Sequence, residues 1–376
     1  MNNSPPPLGI KKYVFVGAKP MKSDDQNPGG QLTASVGLTN YLRSKGYSVD
    51  IVDTTQSSFP VPSLIIRLNK GFRRLVELFQ LFQSNRINGA IIFASAGFSF
   101  YERICMSLLC RYFDVPDLFF IRSGHFMAKV NASYSSALFA KLLLKVPLRI
   151  GAQGNKWLEF YRSLGVDPSK TTVIRNWLPD STVIRYSPKV WKAEKPIHFI
   201  YVGWLVPEKG VMELLDAIVE LRSYYHFRFT FVGSGTLDVY VRQLILDSGW
   251  GNDVVALGWK KPEEVQQLLD LADVFVLPSY AEGFPNALLE AMAKGLPAIC
   301  SDVGGISDSL VHNINGFLIP PRQHKPLVEA MEKYLLHPDL IEKHSQATLG
   351  ILRSNHGLEE NCQKIISVLD ECEKKG

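Results

Sequence analysis

The stretch Val274–Gly305, VFVLPSYAEGFPNALLEAMAKGLPAICSDVGG, constrains the fold more than any other part of the chain. Val274–Leu277 is a short uninterrupted apolar run, the pattern of a strand buried on both faces. Pro278–Pro285 is broken by Pro and Gly and reads as a loop. Asn286 stands where a helix N-cap is expected, ahead of ALLEAMAK, and Gly295 stands where that helix should stop. Pro297–Ser301 is a second strand, and it runs into Gly304-Gly305. Two carboxylates eight residues apart, Glu282 and Glu290, therefore flank a helix start. Backbone amides at the positive end of a helix dipole hold an anion well, and a carboxylate on each side accepts hydrogen bonds from hydroxyls. An anion between two polyols is the outline of a sugar nucleotide.

The rest of the chain repeats this strand–helix alternation. Apolar runs at Tyr13–Gly17, Tyr47–Val52, Ala90–Ser95, Leu118–Arg122, Leu148–Ala152 and Thr172–Arg175 predict strands in the first half. A second set follows at His198–Val202, Phe227–Val232, Val254–Leu257 and Gly316–Ile319, around the opening stretch. Asn176–Pro196, with Pro179, Pro188 and Pro196, reads as a linker. At 376 residues the chain is long for one core. The expected fold class is therefore α/β, with two doubly wound, Rossmann-like parallel-sheet domains facing across a cleft. Their expected bounds are 1–180 and 181–355, with a C-terminal helix over 356–376 packing back on the first domain.

Charge is distributed unevenly. The net charge of +5 combines +11 over residues 1–180 with −6 over the remainder, so the first half is expected to face something anionic. From Leu64 to Phe82, apolar Leu68, Phe72, Leu75, Phe79 and Phe82 recur at helical spacing, with Arg67, Lys70, Arg73 and Arg74 on the other side. This predicts an amphipathic helix whose apolar face packs on a sheet, with a membrane-surface role as the rival reading. The N-terminus has no apolar h-region, so no secretory signal is expected. The five cysteines, Cys105, Cys110, Cys300, Cys362 and Cys372, form no CxxC pair. They point to reduced thiols in a cytoplasmic protein, and to neither a zinc site nor a disulfide framework.

Several spaced motifs in the second half, YVGWLVPEKG, FVGSG, ALGW and the E-x7-E element EGFPNALLE, resemble the family-four retaining glycosyltransferases of GT-B fold, of the bacterial surface-polysaccharide type. The first half resembles them more loosely, through Pro28-Gly29-Gly30, His125 and VIRNW at Val173–Trp177. The resemblance implies that Lys209 contacts the donor diphosphate and that Glu282 holds hydroxyls of the transferred sugar. The amides of Phe284, Asn286, Ala287 and Leu288 would lie near diphosphate and sugar. Glu290 would bind the ribose, while Leu257 and Gly258 hold the base through their backbone. Gly203 and Gly233 would line the donor site. Gly29 and Gly30 would approach the phosphate from the other domain, and His125 would point at the reacting sugar. A lone histidine is more often structural than catalytic; the position of His125 at a strand end and the family match favour the functional reading.

One position departs from the family pattern: Trp204 stands where many members carry an Arg, so phosphate neutralisation falls more heavily on Lys209 and the helix start. The chain contains no DxD, HExxH or P-loop, so the expected chemistry uses no metal and no cofactor beyond the nucleotide sugar as co-substrate. A UDP-sugar is the favoured donor, and a lipid-linked or saccharide precursor the expected acceptor. The expected place is the cytoplasm, peripheral on the inner face of the plasma membrane, with the basic domain toward an anionic surface. Rival readings are a same-fold enzyme on a soluble acceptor, a nucleotide-sugar epimerase, and a non-catalytic or nucleic-acid-binding protein. The last is disfavoured because the chain lacks interleaved aromatic and basic stacking motifs.

Overall fold

A computed structural model describes residues 10–19, 30–55, 63–178, 184–185 and 187–373. The chain divides into two compact units, residues 1–179 together with 358–376, and residues 180–357.

Among the described residues, the first unit is built on six parallel strands, β1 (Lys12–Gly17), β2 (Ser48–Asp53), β3 (Gly89–Ala94), β4 (Asp117–Ile121), β5 (Arg149–Ala152) and β6 (Thr171–Val173). Their order is β2-β1-β3-β4-β5-β6. The helices preceding the second unit are α1 (Gly30–Ser44), α2 (Leu64–Ser84), α3 (Phe98–Tyr112), α4 (Gly124–Asn131), α5 (Tyr134–Leu143) and α6 (Asn155–Ser163). Successive strand residues point to opposite faces, and β1 shows the result. Val14 and Val16 join a core with Leu78 and Phe82 of α2, Ile104 of α3, Ala140 of α5 and Trp157 of α6. Tyr13 and Phe15 join a second core with Leu38 of α1 and Trp177.

The second unit has the strand order β12-β11-β10-β7-β8-β9, again all parallel. These strands are β7 (His198–Val202), β8 (Arg228–Val232), β9 (Val254–Ala256), β10 (Val274–Leu277), β11 (Ala298–Ser301) and β12 (Gly316–Ile319). Its helices are α7 (Val211–Arg222), α8 (Asp238–Asp247), α9 (Pro262–Leu271), α10 (Asn286–Ala293), α11 (His324–Leu336) and α12 (Asp339–Asn355). The order reverses between β7 and β10, which are hydrogen-bonded neighbours. In open α/β sheets that reversal is where ligands bind, outside the strand carboxyl ends.

The last helix, α13 (Leu358–Glu373), belongs to the first unit. Its Cys362, Ile365, Ile366 and Leu369 complete the core that holds Tyr13 and Phe15. Asp370 accepts hydrogen bonds from the Lys11 amine at 2.7 Å and the Tyr13 hydroxyl at 3.2 Å.

Two local expectations need correction. Helix α2 is present, but it turns a different side inward. Its buried residues are Gly71, Arg74, Leu78 and Phe82, whereas Leu68 and Phe72 of the expected packing face are exposed. The inward cation is neutralised, since the Arg74 guanidinium lies 3.2 Å from Oε1 of Glu102, whose Oε2 is 2.7 Å from Arg103. Arg74 also donates to the Asp53 carbonyl at 2.8 Å. The second correction concerns α10: its N-cap is Pro285, and Asn286 is the first helical residue. Proline's fixed φ, here −75°, presets the entry into the helix, and proline offers no side-chain acceptor to cap it. Its other end does close at Gly295, at φ +71°. The Gly295 and Leu296 amides bond back to Met292 and Ala291 at 2.9 and 3.0 Å, a Schellman stop.

Candidate active site

Loops at the carboxyl ends of β7 and β10 are locked together by their backbones. Gly210, just after β7's loop, adopts φ +70°, and a Cβ there would lie 2.0 Å from the Pro278 carbonyl oxygen. Only glycine permits that approach. The Tyr280 amide then donates to the Glu208 carbonyl at 2.9 Å. Held this way, Lys209 Nζ reaches Oε1 of Glu282 at 2.5 Å. The carboxylate is buried and the ammonium half-buried, so the charges meet where water screens them little. The Gly304-Gly305 turn grips the same loop. A Cβ on Gly304 would lie 2.0 Å from the Glu282 carbonyl oxygen, and the Gly305 amide donates to Gly283 at 2.8 Å.

The glycine motifs after β7, β8 and β9 form a laced rim. The Gly203 amide donates to Val232 at 3.0 Å, the Leu205 amide to Ser234 at 3.0 Å, and the Gly233 amide to Gly258 at 2.8 Å. Gly233, at φ +136°, sits so close that a Cβ would fall 1.9 Å from the Gly203 oxygen. Leu257 spends its amide on Phe231 at 2.9 Å. Thus Gly203, Gly233, Leu257 and Gly258 stand together on one edge. Trp204 is half-buried on the same loop, its carbonyl accepting from the Tyr201 hydroxyl at 2.6 Å.

Helix α10 starts beside Glu282 and carries no acidic residue in its first turn, so its dipole is not neutralised by its own side chains. Of its early amides, that of Leu288 already donates to Pro285 at 3.1 Å. Asn286 is buried, while Ala287 is half-buried. Phe284 packs its ring 5.2 Å from that of His356, which is bonded to the Ser309 hydroxyl at 2.6 Å. Glu290 follows in the second turn. Its carboxyl has no hydrogen-bond or ion-pair partner among the described residues, and burial alone pushes its pKa up to about 7.

Sequence reasoning passes over a second group on this edge. The Tyr280 hydroxyl donates to Oε1 of Glu213 at 2.6 Å, and the Arg322 guanidinium lies 4.9 Å from the Tyr280 ring centre. Tyr280 is legible as a loop residue two before Glu282. Arg322 comes from the loop after β12, and nothing in its local sequence marks it.

In the first unit, His125 lies exposed in the first turn of α4, a helix the sequence does not signal. Gly30 is the first residue of α1, and Gly29 lies outside the described residues. Residues of VIRNW meet the end of β4: Arg122 donates to Asn176 at 2.9 Å and lies between the rings of Phe93 and Trp177, 4.6 and 5.7 Å from their centres. Burial lowers its pKa to about 10. Among the described residues no group of three or more His, Cys, Asp or Glu side chains gathers to hold a metal ion.

Residues 184–348 match a family model described as Glycosyl transferases group 1. This segment of the chain is similar to the group 1 glycosyl transferases. The amylovoran biosynthesis glycosyltransferase AmsK of Erwinia amylovora is 31% identical over 191 residues, 49% of this chain and 45% of that protein. A UDP-Gal:alpha-D-GlcNAc-diphosphoundecaprenol alpha-1,3-galactosyltransferase of Escherichia coli is 26% identical over 306 residues, 74% of each chain. With AmsK and the relatives matched next to it, the chain spans less than half of the relative's length. Among solved structures, the sucrose-phosphate synthase of Thermosynechococcus elongatus matches with a TM-score of 0.76 at 17% identity, covering 97% of this chain and all of that one. At that identity the likeness establishes the fold, which is GT-B. Within the matched segment lie Lys209, Glu282 and Glu290, together with Gly203, Gly233, Gly258 and Gly304.

Proposed function

We propose that the protein is a retaining glycosyltransferase that transfers a hexosyl group from a nucleotide-diphosphate donor, UDP-linked, to a lipid-linked or polysaccharide-precursor acceptor. It acts without a metal ion, at the cytoplasmic face of the plasma membrane. The observation that carries this reading is the Lys209–Glu282 pair at the sheet's reversal point, 2.5 Å apart, with Glu282 in the loop that leads into α10, whose first turn carries no acidic residue. A cation and a helix dipole at one point suit a diphosphate, and the carboxylate next to them suits sugar hydroxyls.

In this reading the bond between the anomeric carbon and the diphosphate oxygen breaks first. Lys209 and the α10 amides stabilise the charge that grows on the leaving diphosphate. Glu282 orients the sugar, and Glu290 accepts the ribose hydroxyls. Gly203, Gly233, Leu257 and Gly258 shape the rim that takes the base, with Trp204 on its wall. The acceptor hydroxyl attacks from the side the leaving group departs, and its proton passes to a diphosphate oxygen. His125, Gly29 and Gly30 are assigned to the sugar and phosphate on the strength of the family resemblance. The lipid-linked acceptor is supported by the name of the Escherichia coli galactosyltransferase and by the basic first half.

A thermal-shift screen against UDP, GDP, ADP and dTDP sugars tests the donor, because a ligand bound only by the native state raises the melting temperature. A selective rise with a UDP-sugar is expected. A rise with none of the four sinks the reading. Product stereochemistry, read by NMR of the new anomeric centre, tests retention.

A further inference from the structure

Two buried arginines of the first unit, Arg74 and Arg103, are both neutralised by Glu102, at 3.2 and 2.7 Å. Arg122 is a third guanidinium drawn out of water, and it has no such partner. It follows β4 directly, its amide donating to the Ala94 carbonyl at 2.8 Å. Its guanidinium lies between the buried rings of Phe93 and Trp177. Among the described residues its side chain makes one hydrogen bond, from Nη2 to the neutral Asn176 amide at 2.9 Å. Its Nη1 is buried with no hydrogen-bond partner. Burial is the sole cause that lowers its pKa to about 10, so no acidic side chain offsets the charge. A desolvated cation without an anion is costly to a fold, so this one calls for a ligand. It is within reach of one, because Arg122 as a whole and Ser123 beside it are only half-buried.

A second observation falls at the same strand end. The chain turns at once into α4, with Ser123 at the N-cap. The Ser123 hydroxyl caps no amide, and the first turn of α4 carries no acidic residue. An unpaired guanidinium and the positive end of a helix dipole therefore follow one another directly. They do so at the carboxyl edge of the sheet, where open α/β sheets bind ligands.

We propose that Arg122 and the start of α4 form a receptor for a carboxylate on the acceptor, which makes the acceptor an acidic saccharide of the uronic-acid kind. The guanidinium fork matches the two carboxylate oxygens. A single cation shielded from water balances a single negative charge, whereas a phosphate monoester brings nearly two at neutral pH. The assignment deepens the proposed function by naming the acceptor's chemical class. It rests on that reading for the acceptor's role, and not for the binding of the carboxylate.

The test is a set of thermal shifts on the full chain at neutral pH, with glucuronate, glucose and glucose 1-phosphate at equal concentration and ionic strength. Glucuronate should raise the melting temperature, glucose should not, and glucose 1-phosphate should do so less. Arg122→Lys keeps the charge and loses the fork; Arg122→Met loses both. Each should lose roughly 10–100-fold in glucuronate affinity. Without ligand, Arg122→Met should melt no lower than wild type, because it removes an unbalanced charge. The shift induced by UDP should be the same in all three proteins. Its absence from all three sinks the donor reading and leaves this one standing. A glucuronate shift that is missing in wild type, or that survives in both variants, overturns the proposal. A larger shift from glucose 1-phosphate than from glucuronate, lost in both variants, overturns the carboxylate in favour of a phosphate.

Discussion

Lys209 Nζ and Glu282 Oε1 lie 2.5 Å apart, although 73 residues separate them in the chain. What brings them together is a backbone contact, Gly210 against the Pro278 carbonyl, one residue away from the lysine. The ion pair is therefore a by-product of a glycine, and each half of it can be tested separately.

Removing either member should cut turnover by roughly 10²–10³-fold, as loss of a transition-state stabiliser does. Lys209→Ala should also destabilise the fold by about 1–3 kcal/mol, because it leaves Glu282 buried without its cation. The double variant Lys209→Ala with Glu282→Ala should recover part of that stability and none of the activity. Urea melts and steady-state kinetics check the two halves; a Glu282→Ala enzyme with unchanged kinetics would remove that residue from the mechanism.

Gly210→Ala should cost about 2 kcal/mol or more, from a strained φ and a backbone collision. Gly249 is the control: it has φ +63°, but a Cβ there would meet nothing within 4 Å. Gly249→Ala should cost about 1 kcal/mol, the backbone strain alone. Equal urea midpoints for the two would show that the Pro278 contact does not matter.

With Glu290 on the ribose as proposed, nucleotide binding should depend on pH. Burial raises its pKa to about 7, and a ribose diol donates best to the ionised carboxylate. UDP affinity should rise with pH toward 7, by up to tenfold per unit, and level off above it. Glu290→Gln should flatten the profile. The stability of the ligand-free protein runs the other way. A raised carboxyl pKa favours the fold below the ordinary value of 4.5 and loses that contribution as pH climbs through 7. Melting temperatures between pH 4.5 and 8 should therefore fall more in wild type than in Glu290→Gln.

Glu102 holds two buried guanidinium groups, at 3.2 and 2.7 Å. Glu102→Gln should destabilise the protein by about 3–5 kcal/mol, since it strands two desolvated cations. If the melt is unmoved, the ion triad does not set the orientation of α2.

Much of the fold is legible in local sequence. The bounds of β7, β10 and β12 fall on the residues their apolar runs mark, because a strand buried on both faces leaves no polar interruption. Helix α9 starts at Pro262, a residue suited to a first helical position because its missing N–H has no partner there to lose. What escapes is decided at long range. Which side of α2 faces inward depends on Glu102, 28 residues away in α3, and periodicity cannot weigh a buried arginine whose partner lies in another helix. Helices α6 and α12 go unmarked because short polar stretches around Trp157 and His344 hide the few side chains that anchor them. At the site, the residues of E-x7-E are legible as a motif. The lacing that places them is not, because Gly210, Gly233 and Gly304 act by what their missing Cβ atoms allow a distant carbonyl to do.

Helix α13 has a consequence for the order of folding. The core around Tyr13 and Phe15 needs Cys362, Ile365 and Leu369, which leave the ribosome only after all of residues 180–357. The first unit begins synthesis first yet closes last, and for most of translation it exposes an open apolar sheet face. The second unit is contiguous, so it can fold while the first still waits. A break in the chain near Gly357 would leave the second unit whole and strip the first of its final layer.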